Sequence, residues 1–327
     1  MTLNQFIYKA TRPLGGLQLA RILARHHPRI LMYHRLSATD EPGKIHVDQF
    51  RKQMRLIKRH FHPMNLTELL EAHEQGNVPN HAVVVTFDDG YADFAEYAFP
   101  IMQEEGIPST LFITTGFVNG DLWLWPDQLR YVIDNTVSNK EVFIEGLNQK
   151  INFHTDREKA WNVVADHCLT IPNEQKESLI SDLYDRLDVV RPESSPSQYR
   201  GLEWPQLRKM VNKGLDIGSH SYSHPILTRL RSDALISELT SSRELIREKL
   251  GVDTQVFCYP NGQPFDFNSD VKSAIRAAGY SVAVAAYPSR HPLSDIWAIN
   301  RYPANKLWEL FEKNVYGMTY LNSRALT

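Results

Sequence analysis

Along the chain, short runs of apolar and β-branched residues alternate with segments whose apolar positions recur every three or four residues. RILMY (29–33), AVVVTF (82–87), PSTLFI (108–113), LDIGSH (215–220), QVFCYP (255–260), SVAVAA (281–286) and WAIN (297–300) read as strands. Val47, Phe50, Met54, Ile57 and Phe61 mark one amphipathic helix; Phe94, Tyr97 and Ile101 mark a second over roughly 93–105, which Gly106 stops. Pro205 opens a helix that Gly214 ends, Gly251 closes one over 233–250, and Gly279 closes one over 270–278. A last helix surrounds Leu307, Trp308 and Phe311. Alternation of this kind predicts an α/β fold with a mainly parallel sheet or barrel.

The alternation lapses between about 120 and 203, where three polar helical patterns and the loop RPESSPSQYRG replace it. We read 120–203 as a helical insertion or cap, 28–119 with 204–327 as the barrel, and 1–27 as an N-terminal helical extension.

Composition narrows the function classes. The chain has 327 residues, 42% hydrophobic and 23% charged, as in soluble globular proteins, and its net charge of -2 offers no general attraction for nucleic acid. Cys168 and Cys258 define neither a zinc spacing nor a disulfide framework, and Cys258 reads as a buried core thiol. No apolar run is long enough to span a membrane, and the N-terminus lacks the pattern of a secretory signal, so the expectation is a cytoplasmic protein. Leu14, Leu17, Leu19, Ile22 and Leu23, interleaved with Arg12, Arg21 and Arg25, fit either a helix docked on the domain or a basic amphipathic helix on the inner membrane face.

The chemistry gathers at the strand ends. His34 follows RILMY, Asp88 and Asp89 follow AVVVTF, His220 ends LDIGSH with His224 four residues on, Asn261 follows QVFCYP, and Arg301 follows WAIN. In parallel α/β folds the C-terminal strand ends form one face, and that face carries the site. Adjacent carboxylates repel unless a cation lies nearby, and two His at i and i+4 meet on one side if HSYSH forms a helical turn. Two His and one Asp can then hold a divalent metal while the other Asp takes a proton from water. Zinc suits that donor set first, and nickel, cobalt or iron also suit it.

TFDDGY, GSHSYSH and FCYPNG, in that order, resemble the motifs of the polysaccharide deacetylase (NodB-homology) family over roughly 28–119 and 204–310. The resemblance implies an irregular (β/α) barrel that removes acetyl groups from N-acetylated sugars with a divalent metal. It makes Asp88 the general base, Asp89, His220 and His224 the metal ligands, and Tyr259, Pro260 and Asn261 the sugar-binding segment, with the Tyr259 backbone N–H facing the developing oxyanion. Two positions depart from the pattern. Val256, Phe257 and Cys258 stand where many members place a base-orienting Arg, and no His follows residue 300. The chain is more similar to the branch with an N-terminal Tyr-His strand motif, here Tyr33-His34, which includes poly-β-1,6-N-acetylglucosamine deacetylases. In that branch the barrel elements are permuted, and the N-terminal His takes over the missing role. Arg301 is then the candidate for the missing Arg. His34 is the candidate acid for the leaving amine, with His291 its rival and Asp295 near enough to tune either imidazole.

The resulting expectation is a metal-dependent hydrolase that removes N-acetyl groups from an N-acetylhexosamine-containing glycan, glycolipid or sugar intermediate. O-acetyl ester or other C–N hydrolysis is the alternative on the same residues, and a catalytically inactive glycan-binding module the alternative from another class. Trp123 and Trp125 either stack on sugar rings or pack in the insertion's own small core.

Overall fold

The computed structural model describes residues 8, 12–289 and 291–321. Its strands are β1 (Arg29–Tyr33), β2 (Leu36–Ser37), β3 (Ile45–His46), β4 (His62–Met64), β5 (Ala82–Phe87), β6 (Ser109–Ile113), β7 (Glu141–Ile144), β8 (Gln149–Asn152), β9 (Asp216–Ser219), β10 (Val256–Cys258), β11 (Val282–Val284) and β12 (Tyr302–Pro303). The main sheet runs β11-β10-β9-β6-β5-β1-β12, with β4 beside β5, and its pairings are parallel.

The sheet curls, and alternation along its strands sorts side chains between two apolar layers. In β5, Val83, Val85 and Phe87 pack outward with Ile57 and Phe94, whereas Ala82 and Val84 pack with Ile30, Phe112, Val256 and Val284 inside the curl. Both faces are covered, so β5 is buried along its whole length, as an uninterrupted apolar run requires. Phe112 fills the interior so closely that its ring leaves no room for a Cβ on Gly218.

WAIN is not a strand of the sheet. Ile299 alone bridges to Val284, and the pairing resumes at Tyr302–Pro303, which lie parallel to Leu31–Met32. The segment 299–303 therefore bonds to both edge strands and draws the edges together, giving the irregular α/β barrel.

Between β6 and β9, the helices Trp125–Asn135, Arg157–Cys168 and Asn173–Arg186 and the antiparallel hairpin β7–β8 enclose a second apolar cluster. Trp123 and Trp125 belong to it, Trp123 against the rings of Tyr131 and Tyr199 and Trp125 beneath the Lys176 ammonium. At the other end of the chain, the helix Gly16–Leu23 buries Leu17 and Ala20, while Leu14, Leu19, Ile22 and Leu23 remain exposed. Among the described residues no helix is long and apolar enough to cross a membrane.

Candidate active site

The inward parity of each strand continues past its last residue. Ala82, Val84 and Thr86 point into the barrel, and Asp88 is next on that side; Val256 leads likewise to Cys258, and Ile30 to His34 by way of Met32. Asp89 would point outward if the strand continued. Instead it turns into the left-handed region with φ of 75°, as Gly90 does at 91°, and its carboxylate joins the same mouth. Such a conformation costs about 1–3 kcal/mol at a non-glycine residue and is held only by its surroundings. Here the Asp89 carbonyl accepts from Thr114 N–H at 3.0 Å.

Asp89 Oδ1 lies 3.4 Å from His220 Nε2 and 3.4 Å from His224 Nε2. Donor atoms each about 2.1 Å from a tetrahedral ion stand roughly 3.4 Å apart, so this spacing fits a metal's first shell. Asp89 Oδ1 is buried without a hydrogen-bond partner, an arrangement that an ion would satisfy. His220 Nδ1 sits 2.9 Å from the Cys258 carbonyl. A carbonyl only accepts, so Nδ1 carries a proton and Nε2 is the ring atom left to face Asp89 and to ligate a cation. Burial pushes the His224 imidazole down to about 4, leaving it in the neutral, ligating form. Burial works against Asp89, but the neighbouring His220 and His224 outweigh it and hold the carboxyl well below its usual range. Asp88, His220 and Cys258 form a second compact trio. It suits a metal less well, because burial raises the Cys258 thiol away from thiolate and Arg301 already grips both oxygens of Asp88.

HSYSH is not helical. Ser221 and His224 have φ of 65° and 61°, and the two imidazoles meet through this irregular turn with ring centroids 4.8 Å apart. Side chains replace the missing helical hydrogen bonds. His224 N–H donates to Ser221 Oγ at 3.0 Å, and the Glu238 carboxylate accepts from Tyr222 N–H and Ser223 N–H, both at 2.9 Å. Glu238 sits on the helix Ser232–Leu250, and no local pattern in the sequence marks it as a clamp on the ligand loop.

Arg301 is fully buried and bidentate to Asp88, with Nη1–Oδ1 at 2.6 Å and Nη2–Oδ2 at 2.8 Å. Its other N–H groups reach the Ala285 carbonyl (2.9 Å), Thr86 Oγ1 (3.1 Å) and Cys258 Sγ (3.1 Å), so all five donors are engaged. Burial alone would raise the Asp88 carboxyl; the Arg301 charge and hydrogen bonds reverse that, and the carboxyl sits below its ordinary value. Cys258 is buried, as its apolar run predicts, yet its thiol lies within this network rather than among purely apolar side chains.

His34 stands opposite, with Nε2 3.9 Å from Asp88 Oδ2 and a side chain 47% exposed to the cavity and solvent. His291 packs its ring 5.7 Å from that of His27, which precedes β1, so it lies at the far end of that strand and away from this mouth. Asp295 pairs with Lys272 at 2.6 Å. The Tyr259 side chain takes outward parity, stacks on Phe267 at 4.1 Å and donates its hydroxyl to the Trp297 carbonyl. Its backbone N–H donates to the Val284 carbonyl at 3.1 Å, extending the β10–β11 ladder, so the expected oxyanion contact from this N–H is absent. Asn261 lines the cavity with φ of 58°, and its side chain donates to Asp266 at 2.6 Å; Pro260 is buried in the turn before it.

His34, Asp88, Asp89, His220, His224, Tyr259 and Asn261 line a cavity of about 460 Å³, a size ordinary for a ligand site, together with Tyr91, Arg35, Pro126 and Trp161. Tyr91 follows the carboxylate pair, lies under the Arg35 guanidinium at 4.0 Å and donates to Asp127 at 2.7 Å. Burial pushes the Asp127 carboxyl up to about 7.

The family model for polysaccharide deacetylase matches residues 75–156 and 159–283. The poly-beta-1,6-N-acetyl-D-glucosamine N-deacetylase of Escherichia coli is 36% identical over 61 residues, 18% of this chain and 9% of that protein. The Staphylococcus aureus protein of the same name is 37% identical over 71 residues, 21% of this chain and 24% of that protein. IcaB from Ammonifex degensii superposes with a TM-score of 0.59 at 16% identity, covering 89% of this chain and 97% of its own. The Streptococcus pyogenes deacetylase PplD, solved with acetate, superposes with a TM-score of 0.58 at 16% identity over 87% and 95%. At that identity the two structures share the fold.

Proposed function

The chain belongs to the polysaccharide deacetylase family, and from that premise we propose that it hydrolyses the N-acetyl group of an N-acetylhexosamine in a glycan, using a divalent metal. One observation carries the reading: a buried carboxylate clamped by Arg301 lies beside three metal-type donors converging on one point.

Asp89, His220 and His224 would hold the ion, which when bound supplies polarisation of the acetyl carbonyl and acidification of the attacking water. Asp88 takes the proton of that water. Arg301 occupies two of the carboxylate's roughly four lone-pair sites and the Cys258 thiol approaches Oδ2 at 3.7 Å, which leaves a site for the proton. His34, on the open side of the pair, delivers a proton to the departing nitrogen as its bond to the acetyl carbon breaks. The products are acetate and a free amine; Asp88 gives up its proton and His34 takes one back from solvent, which restores both groups.

Purified protein supplied with zinc, cobalt or nickel should release acetate and free amine in equal amounts from β-1,6-linked N-acetylglucosamine oligomers. Acetate without amine would redirect the reading to ester hydrolysis. No acetate from any N-acetylated glycan, with a homologous enzyme active alongside, would remove it.

His34 has its own test. His34→Asn should lower kcat on the amide by about 10²–10⁴-fold. On 4-nitrophenyl acetate, whose phenolate leaves without a proton, the loss should be much smaller. Equal losses on both substrates would show that His34 does not act as the acid.

A further inference from the structure

The catalytic cavity continues into a second one. A chamber of about 810 Å³ lies between the barrel rim and the helices Trp125–Asn135 and Arg157–Cys168, and it shares Arg35, Gly43, Pro126 and Trp161 with the catalytic cavity. Both volumes fall in the range of ligand sites. Trp161 stands at the junction. Unlike Trp123 and Trp125, which the insertion's core absorbs, it is only partly buried. Its indole is held on one face: the Arg130 guanidinium, which also lines the chamber, lies 4.8 Å from the ring centroid, and Nε1 donates to the Pro126 carbonyl at 3.4 Å. Arg130 is itself held by Glu158 at 3.1 Å and Asp134 at 3.8 Å. An aromatic plane immobilised in this way loses little freedom when a flat apolar face packs on it.

The rest of the chamber is polar and carries both signs of charge, Arg35, Lys44, Arg130 and Arg157 with Glu41, Asp127, Asp134 and Glu158. Lys44 pairs with Glu41 at 2.8 Å, and Arg35 pairs with Asp93 at 2.8 Å. Such a lining offers hydrogen bonds without a field that would select an anion. A pinned indole beside polar groups of both signs is the chemistry that takes an uncharged pyranose, C–H face on the ring and hydroxyls on the rim.

The geometry points to a second sugar subsite built by the insertion, with Trp161 as its platform, adjoining the catalytic pocket. The proposal rests on the deacetylase reading and deepens it. The preferred substrate is an uncharged N-acetylhexosamine oligomer whose neighbouring residue occupies this chamber during deacetylation, rather than a free sugar.

The probe is the series of β-1,6-linked N-acetylglucosamine oligomers from dimer to pentamer. With the metal-loaded wild type, kcat/KM should rise along the series, and in Trp161→Ala the pentamer-to-dimer ratio should fall by about tenfold. Trp161→Phe, which keeps a plane, should retain most of the ratio. Titration calorimetry on EDTA-stripped protein, where nothing turns over, should show the same loss of pentamer affinity in Trp161→Ala. An unchanged ratio and unchanged affinity in folded Trp161→Ala, with the wild type active, would overturn the subsite and leave the deacetylase reading standing. A wild type that binds the pentamer through Trp161 but releases no acetate would overturn the activity and leave the subsite. Should Trp161→Ala fail to fold, loss of the ratio in Trp161→Phe equal to that in Trp161→Leu supports no plane and also overturns the proposal.

Discussion

Asp88→Asn should reduce kcat by about 10²–10⁴-fold while the purified protein retains its full metal content. The amide matches the carboxylate in shape but cannot take a proton from water at neutral pH. Asp88 lies on the inner face with both oxygens turned to Arg301, whereas the converging donor set belongs to Asp89, His220 and His224. Asp89→Ala, His220→Ala and His224→Ala should therefore lose metal and turnover together. Metal analysis of the four variants, each checked for folding by circular dichroism, separates base from ligand. Loss of metal in Asp88→Asn to the extent seen in His220→Ala would exchange the roles of the two carboxylates.

Most of the site's placement follows from one property of strands, their period of two. Once AVVVTF and RILMY are read as strands of a parallel sheet, Asp88 and His34 must stand at one rim, and FCYP brings Cys258 there by the same parity. Failures arise where the chain leaves regular structure. HSYSH has helical spacing, yet positive φ at Ser221 and His224 and the Glu238 clamp produce a turn that no periodicity encodes. WAIN is apolar enough for a strand, but the barrel needs those residues to cross from one sheet edge to the other, so only Ile299 bridges to Val284 and the strand pairing with β1 starts after Arg301. His291 sits in a loop before a rim-directed segment and still folds back onto His27, because sequence does not say which way a loop turns. The Tyr259 N–H is lost to the ladder because β11 runs long enough to claim it. Trp161 carries no mark of its own in the sequence, because it lies beside the buried stripe Ala160, Val164 and Cys168 of its helix and reads as part of it.

Arg301→Ala should lower kcat at least tenfold, roughly 1.4 kcal/mol of barrier, and destabilise the fold by about 3–5 kcal/mol near neutral pH. In the wild type the Asp88 carboxyl is held below its ordinary value. The pair's contribution is thus present above the unfolded carboxyl pKa of about 3.9 and disappears as pH falls through the lower folded value. Removing Arg301 leaves burial as the dominant influence on a buried carboxylate, and burial raises its pKa. The variant's carboxyl then prefers to be protonated, so its stability declines as pH rises above about 4, while the wild type's does not. The difference in melting temperature between the two should accordingly widen from acid to neutral pH. The acid limb of the variant's kcat/KM profile should also move to higher pH, because more of its base is protonated at a given pH. Arg301→Lys should recover part of the stability and little of the rate, since an ammonium restores charge without the planar two-point grip that fixes the carboxylate rotamer. A Tm difference constant across pH, together with wild-type kinetics in Arg301→Ala, would reduce Arg301 to a packing residue and leave Asp88 without an orienting partner.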